Sequence, residues 1–142
     1  MKDGPLPPTI LLIEDDLATR ELYERELGQA YPVEAVAIDA HTLSLAHQPS
    51  LKLIILGLDA PHKKSWRLLE QLCQPGGKEA RPVVPIIVYS TSDDRRYTRN
   101  LNIAEYLVQP VLPSLLNEKV RLYIAASKLH QGSSFKFHSN NE

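Results

Sequence analysis

The sequence predicts an α/β domain in which a doubly wound, five-stranded parallel sheet lies between two layers of helices. Short apolar runs rich in branched residues alternate with segments of helical spacing, which is the pattern of a parallel sheet covered on both faces. At 142 residues, without an internal repeat, the chain has the length of one such domain. We therefore expect a three-layer α/β/α architecture.

Five apolar runs are predicted strands. Three are continuous and rich in branched residues: 9–13 (TILLI), 51–56 (LKLIIL) and 83–89 (VVPIIVY). Two more, 32–38 (PVEAVAI) and 104–108 (AEYLV), are weaker candidates. Continuous runs of this length indicate strands that are buried on both faces, as in the interior of a parallel sheet.

Helical spacing fills the intervals between these runs. Asp16 is predicted to cap the first helix, because its carboxylate can accept hydrogen bonds from unpaired backbone N–H groups. Pro113 suits the first turn of the last helix. The segments 39–48 and 93–100 are shorter helix candidates, so the sheet is expected to carry five helices in all.

The chain is predicted to divide into an extended leader at 1–8, a folded domain at 9–130 and a polar tail or linker remnant at 131–142. Proline disfavours helix in the leader, and the tail lacks apolar periodicity. Twelve polar residues cannot form a DNA-binding domain, and the net charge of −1 gives no long-range attraction to nucleic acid or membrane. With one cysteine and no apolar segment long enough to span a bilayer, the protein is expected in the cytoplasm.

Polar residues follow the predicted strands at their carboxyl ends, where open α/β sheets have their functional crevice. Glu14 and Asp15 follow the first strand, and carboxylate oxygens are ligands that Mg²⁺ prefers. A solvated acidic turn explains this pair equally well. Gly57 lies where the third strand is predicted to end, and Ser90 follows the fourth. The bond Gln109–Pro110 after the fifth strand is a candidate cis peptide.

The chain resembles the receiver domains of two-component response regulators in four motifs that keep the family's order and separations: ILLIEDD, LKLIILGLDAP, PIIVYST and AEYLVQP. The resemblance covers about residues 9–129 and implies the CheY-like, or flavodoxin-like, (βα)₅ fold. It implies that Glu14 and Asp15 match the family's Mg²⁺ ligands. It also implies that Ser90 matches a phosphoryl contact and Tyr106 an aromatic residue that changes rotamer on activation.

Two chemical positions of that family are changed. Pro61 matches a proline four residues after the acceptor aspartate, so the acceptor position falls on Gly57 and the lysine position on Gln109. Glycine offers no nucleophile, and an amide cannot neutralise a phosphoryl dianion as an ammonium does. We expect no enzymatic activity, no required cofactor and at most a weak Mg²⁺ site on Glu14 and Asp15. Gly57 is expected to serve the backbone, through a positive φ or the close approach of a neighbouring loop.

Two alternatives from other functional classes stay open. Asp59 could act as the phosphoacceptor with Mg²⁺, although two residues of extended chain displace its attachment point by about 6–7 Å. A cleft opened by Gly57 could instead admit a small ligand. Uptake of a phosphoryl group would favour the first alternative, and a molecule bound in the cleft would favour the second.

The segment 93–100 is the predicted interface with partners, although a solvated helix is the simpler interpretation. It holds four candidate contact residues: Arg95, Arg96, Tyr97 and Arg99. Arg and Tyr are frequent interface anchors. In the family, partners bind the face formed by the fourth helix, the fifth strand with Tyr106, and the fifth helix. The leading hypothesis is a pseudo-receiver, a phosphorylation-independent module that binds a signalling protein, or a second copy of itself, through this face.

Overall fold

The computed structural model describes residues 6–74 and 84–140, with side chains described as far as residue 127. The strands are β1 (Ile10–Ile13), β2 (Val33–Val36), β3 (Leu53–Leu58), β4 (Ile86–Ser90) and β5 (Glu105–Val108). The helices are α1 (Leu17–Gly28), α2 (Thr42–Leu45), α3 (Lys64–Cys73) and α4 (Pro113–Asn140). A 3₁₀ turn at Arg95–Thr98 lies between β4 and β5.

All five strands are parallel and are arranged in the order β2-β1-β3-β4-β5. The predicted α/β fold class is confirmed. The chain moves outward from β1 to β2 and then crosses to β3 on the other side of β1. The strand order therefore reverses between β1 and β3, and the carboxyl ends of such strands border the crevice of an open α/β sheet.

Alternating side chains of the strands build two separate cores. One core packs against α1 and α4 and includes Ile10, Leu12, Leu53, Ile55, Ile87 and Tyr89. The other packs against α3 and includes Leu11, Ile13, Ile54, Leu56 and Val88. These side chains are at most 3% exposed, and burying one of this size contributes about 1.5–3 kcal/mol. The two faces of the sheet are thus fixed by the period of two along each strand.

Two strands extend further than the sequence predicts. β3 continues through Gly57 to Leu58, and β4 includes Ser90. Gly57 pairs with Tyr89 in the ladder, and Leu58 pairs with Ser90. Backbone pairing needs no side chain, so the glycine does not end the strand. Both residues lie within the sheet rather than in the loops after it.

The second and fourth predicted helices are short. α2 is a single turn, and the segment 93–100 forms a 3₁₀ turn in place of the expected α-helix. Asp93 accepts hydrogen bonds from the backbone and side chain of Arg95, and Asp94 accepts one from the hydroxyl of Ser92. Such local bonds from aspartate compete with regular helix, which explains the difference.

The last helix begins at Pro113, as predicted, but continues to Asn140 through most of the segment expected to be a polar tail. Helical backbone bonds form within the segment itself and do not require apolar periodicity. Residues 1–5 of the expected leader and 141–142 of the expected tail lie outside the described residues. No described helix, α4 included, is apolar enough over a sufficient length to cross a lipid bilayer.

Candidate functional site at the carboxyl ends of the strands

Glu14, Gly57 and Tyr89 lie side by side at the carboxyl ends of β1, β3 and β4. Each is two positions beyond a buried residue that faces α1 and α4, so strand alternation directs all three to that side of the sheet. Gly57 and Tyr89 are register partners. The three positions therefore form one row across the centre of the sheet.

The side chains of Glu14 and Tyr89 fill the space beside Gly57. A Cβ atom at residue 57 would overlap with Oε1 of Glu14 and lie 3.0 Å from Cε1 and Cζ of the Tyr89 ring. The φ angle of Gly57 is not positive. The expectation of a positive φ is wrong, and the approach of a neighbouring loop is replaced by the approach of two side chains. A larger residue at position 57 would therefore require the side chains of Glu14 and Tyr89 to shift.

A hydrogen bond joins the two side chains that fill this space. The hydroxyl of Tyr89 donates to Oε1 of Glu14 at 2.5 Å, and the N–H of Asp16 donates to Oε2 at 2.9 Å. The Tyr89 ring is 1% exposed and packs edge-on against Tyr23 at 5.4 Å. The hydroxyl of Tyr23 in turn donates to the carbonyl of Val111 at 2.9 Å. Both oxygens of Glu14 are thus bound to donors within the protein.

This arrangement predicts a specific alkaline transition. Burial of the ring and, second, the hydrogen bond to Glu14 raise the pKa of Tyr89 above its ordinary value of 10.0. Above pH 10 the unfolded chain loses this proton before the folded one does. The free energy of unfolding from this group is therefore fully present below about pH 10 and falls above it by about 1.4 kcal/mol per pH unit.

Replacing Tyr89 with phenylalanine tests this linkage. We expect Tyr89→Phe to lower the free energy of unfolding at neutral pH by about 1.5–3 kcal/mol, because the Glu14 carboxylate loses a hydroxyl donor. The alkaline slope of the variant should be shallower by about one proton. Urea denaturation at several pH values between neutral and strongly alkaline measures both quantities. Identical slopes for the two proteins would contradict the assignment.

Asp15 is bound to other parts of the same cleft. Its Oδ1 accepts the N–H of Ile38 at 2.8 Å, and its Oδ2 lies 3.1 Å from Nζ of Lys64 on α3. Asp16 caps α1 as predicted and accepts from the N–H of Thr19 at 3.0 Å. The Lys64–Asp15 pair is partly exposed, so it contributes little stability. It nevertheless brings an ammonium group to the acidic pair.

The residues present do not fit a Mg²⁺ site. Mg²⁺ needs converging oxygen ligands in near-octahedral geometry. Glu14 faces the donors of Tyr89 and Asp16, Asp15 faces Lys64 and a backbone N–H, and Gly57 supplies no third carboxylate. Within residues 6–74 and 84–140, no three His, Cys, Asp or Glu side chains form a group that could hold a metal ion. The weak site expected on Glu14 and Asp15 gains no support from their geometry.

The ends of β4 and β5 meet at Ser90 and Gln109. The peptide bond Gln109–Pro110 is cis, as predicted. The N–H of Gln109 donates to the carbonyl of Ser90 at 2.6 Å, and the Ser90 hydroxyl oxygen accepts from the N–H of Ser92 at 3.3 Å. Ser90 is 1% exposed, so its hydroxyl is enclosed by the turn that follows β4. The ammonium that contacts the acidic pair comes from Lys64 on α3 and not from β5.

Asp59 lies in the loop between β3 and α3 and is hydrogen-bonded to residues at the start of α3. Its Oδ1 accepts a hydrogen bond from the hydroxyl of Ser65, and its N–H donates to Oγ of Ser65 at 3.0 Å. Its carbonyl accepts from Nε1 of Trp66 at 2.8 Å. Among the described residues, no hydrogen bond or salt bridge joins Asp59 to Glu14 or Asp15. These contacts join the loop after β3 to the first turn of α3.

The structure divides the predicted interface into two parts, of which the first faces β5. The guanidinium of Arg95 donates two hydrogen bonds of 2.9 Å to the carboxylate of Asp93. Its Cζ atom lies 5.9 Å from the ring centre of Tyr106. The Tyr106 hydroxyl donates to the carbonyl of Ser92 at 2.8 Å and accepts from the N–H of Asp94 at 3.1 Å. Tyr106 therefore ties β5 to the loop that carries the arginines.

The second part of the predicted interface faces α3. The guanidinium of Arg96 lies 5.0 Å above the ring centre of Tyr97. That ring meets the buried indole of Trp66 edge-on, with centroids 6.3 Å apart and planes at 87°. Tyr97 remains 48% exposed, and Arg99 is exposed beside it. Within segment 93–100, Arg95 thus contacts Tyr106 of β5, whereas Tyr97, with Arg96 above its ring, contacts Trp66 of α3.

Gly57 does not open a cavity in the cleft, because its neighbours fill the space. A depression with a volume of about 820 Å³ lies along the end of α1 and the start of β2, beside Tyr31 and Val33. That is the opposite, amino-terminal edge of the sheet. The geometry gives no support to a small-ligand site at Gly57.

The solved structures similar to this chain include receiver domains and response regulators. A CheY-like receiver domain protein from Methanospirillum hungatei has a TM-score of 0.69 and 21% identity, covering 85% of this chain and 96% of that one. The chemotaxis response regulator CheY4 of Vibrio cholerae has a TM-score of 0.66 and 19% identity, covering 80% and 96%. A response regulator from Burkholderia multivorans has a TM-score of 0.62 and 28% identity, covering 81% and 93%.

The chain has the fold of a CheY-like receiver domain. By sequence alone it matches no protein-family model and no curated protein. Within this receiver fold, sequence reasoning located Gly57 and the acidic pair but missed Tyr89 and Lys64. The period of two from Ile87 could have directed Tyr89 toward Gly57. No sequence signal pairs Lys64 with Asp15, because that contact depends on where α3 begins.

Proposed function

We propose that this chain is an atypical receiver domain that acts in two-component-type signalling without being phosphorylated. The observation that carries the proposal is the filled space at Gly57. The acceptor position has no nucleophile, and the hydrogen-bonded side chains of Glu14 and Tyr89 occupy the volume that an acceptor carboxylate would need. The fold relatives are response regulators, which supports a role in signalling.

The domain then acts as a non-catalytic, cytoplasmic binding module that needs no cofactor. A partner shifts a conformational equilibrium that exists before it binds, as phosphorylation does in ordinary receivers. The hydroxyl of Tyr106 bonds to the loop before the 3₁₀ turn. A partner that moves this loop would therefore also act on β5, which couples the arginine segment to the sheet.

A second copy of the chain is another partner within this proposal, through β5 and α4. Val108, Leu115 and Leu122 are 39%, 40% and 57% exposed. Leu115 and Leu122 are seven residues apart and share one face of the helix. Exposed apolar side chains in such a pattern favour an interface. This observation supports the homodimer that the family resemblance implies.

Intact mass spectrometry tests the central claim. The protein and an Asp59→Asn variant are incubated with Mg²⁺ and a small-molecule phosphodonor, beside an ordinary receiver that proves the donor active. We expect no gain of a phosphoryl group in either protein. A stable gain that is lost in Asp59→Asn would make Asp59 the acceptor and overturn the proposal. A gain that persists in the variant would overturn it through another acceptor.

A further inference from the structure

The contact between Tyr97 and Trp66 joins two basic segments into one surface. It places the 3₁₀ turn with Arg96 and Arg99 against the start of α3, where Lys63 and Arg67 are exposed. Lys63 is the N-cap residue of α3, and its carbonyl accepts the N–H of Arg67 one turn later at 3.1 Å. We name the surface formed by Lys63, Arg67, Arg96, Tyr97 and Arg99 the α3 basic face.

The four cations of this face are available to a partner. In the part of the chain that the structure describes, the salt bridges join other residues: Lys64 with Asp15, Arg95 with Asp93, and Lys119 with Glu105. Two nearby carboxylates are also engaged, Asp59 by the Ser65 hydroxyl and Asp94 by the Ser92 hydroxyl. Glu70 is the remaining acidic residue on α3. The α3 basic face thus carries an excess of positive charge.

Positive charge is not a general property of this protein. Residues 14–34 hold seven Asp and Glu against two Arg, whereas residues 59–74 and 93–99 together hold six Lys and Arg against four Asp and Glu. The acidic stretch includes α1, which packs with one core of the sheet, while α3 packs with the other. The α1 carboxylates Glu21, Glu24 and Glu26 therefore lie on the side of the sheet opposite the α3 basic face. The local excess of Lys and Arg draws an acidic partner to the α3 side.

From this surface we infer that the α3 basic face binds an acidic polypeptide segment that places an apolar or aromatic side chain on Tyr97. Guanidinium groups match carboxylates through paired hydrogen bonds. The exposed ring, with Arg96 above it, offers an aromatic anchor of the kind that dominates interfaces. Carboxylates interspersed among the cations disfavour the closely spaced phosphates of a nucleic acid. The inference rests on the proposed function as a binding module.

The fluorescence of Trp66 reports binding, because it is the sole tryptophan of the sequence and contacts Tyr97. The probe is a synthetic peptide of glutamate and glycine with one central phenylalanine. We expect a saturable change in emission, with affinity that falls roughly fivefold as salt screens the charges. No saturable change at low salt would overturn the inference.

Matched charge reversals locate the surface. Arg96→Glu with Arg99→Glu should weaken peptide binding about tenfold or more. Arg25→Glu with Arg121→Glu, on exposed residues of α1 and α4, makes the same change in net charge and should leave binding within about twofold. An equal loss in both pairs would overturn the assignment. If thermal unfolding shows the first pair to be misfolded, Arg99→Gln takes its place and should weaken binding to a smaller extent.

Two further outcomes separate the competing explanations. The same experiment is repeated with single-stranded DNA that carries the same number of charges as the peptide. If the DNA binds more tightly than the peptide, and Arg96→Glu with Arg99→Glu abolishes that binding, the choice of an acidic polypeptide is overturned. If the peptide does not bind but the protein still takes up no phosphoryl group, only the inference about the α3 basic face is overturned. The proposed function would still stand. Uptake of a phosphoryl group would remove the proposed function whether or not the peptide binds.

Discussion

Replacing Gly57 with aspartate is expected to lower the free energy of unfolding by about 2–5 kcal/mol. The new Cβ would overlap with Oε1 of Glu14 and press on the Tyr89 ring, which is 1% exposed and cannot move without disturbing its neighbours. The added carboxylate would also face the charge of Glu14. We further expect that Gly57→Asp alone will not take up a phosphoryl group, although it supplies the missing nucleophile.

Three variants separate shape from charge in this prediction. Gly57→Ala adds only the Cβ and should lower the free energy of unfolding by about 1–3 kcal/mol. Gly57→Asn has the shape of the aspartate without its charge. The difference in free energy of unfolding between Gly57→Asn and Gly57→Asp therefore measures the repulsion by Glu14. Urea denaturation near neutral pH gives these values.

A double-mutant cycle identifies the neighbour that resists the side chain. In a Glu14→Ala background, Gly57→Ala should be less destabilising by about 1 kcal/mol or more, because the overlapping oxygen is gone. Additive effects would show that Glu14 simply rotates away, and the expectation that its side chain opposes a larger residue at position 57 would then be wrong. Stable folding of Gly57→Asp would contradict it as well.

Most of the fold could be predicted because its signals are local. The five apolar runs correspond to the five observed strands, and Asp16 and Pro113 open their helices as predicted. These features depend on residues adjacent in sequence, namely strand period and capping chemistry. The 3₁₀ turn was missed because Asp93 and Asp94 prefer local hydrogen bonds to helix, a competition that arginine-rich spacing does not reveal.

The site could be predicted only in part. Gly57 was located as the changed position, but its physical reason was missed because it depends on contacts between three strands. Glu14 and Tyr89 are 75 residues apart, and strand register alone brings them together. The division of the contacts of segment 93–100 between Tyr106 and Trp66 was missed for a related reason. One turn of 3₁₀ geometry directs neighbouring side chains to α3 and to β5, and sequence proximity cannot separate the two directions.

Restoring phosphoryl uptake should require several coordinated changes. We expect Gly57→Asp combined with Tyr89→Leu and Gln109→Lys to gain one phosphoryl group from a small-molecule donor in the presence of Mg²⁺. The leucine retains an apolar contact with the core and removes the ring atoms nearest to residue 57. It also removes the hydroxyl bound to Glu14, so that the Glu14 side chain can turn away from the new aspartate. The lysine supplies an ammonium for the phosphoryl oxygens. The introduced carboxylate attacks phosphorus while the bond from phosphorus to the donor's oxygen breaks.

Intact mass after incubation measures the gain, and a matched triple variant with Gly57→Asn is the control that keeps the shape but lacks the nucleophile. The Lys64–Asp15 pair should not prevent uptake, because a partly exposed pair of this kind contributes about 1 kcal/mol or less. If Gly57→Asp alone takes up the group as fully as the triple variant, the Tyr89 ring is no obstacle. The missing acceptor carboxylate alone, and not the filled space beside residue 57, would then explain why this domain differs from receiver domains that are phosphorylated.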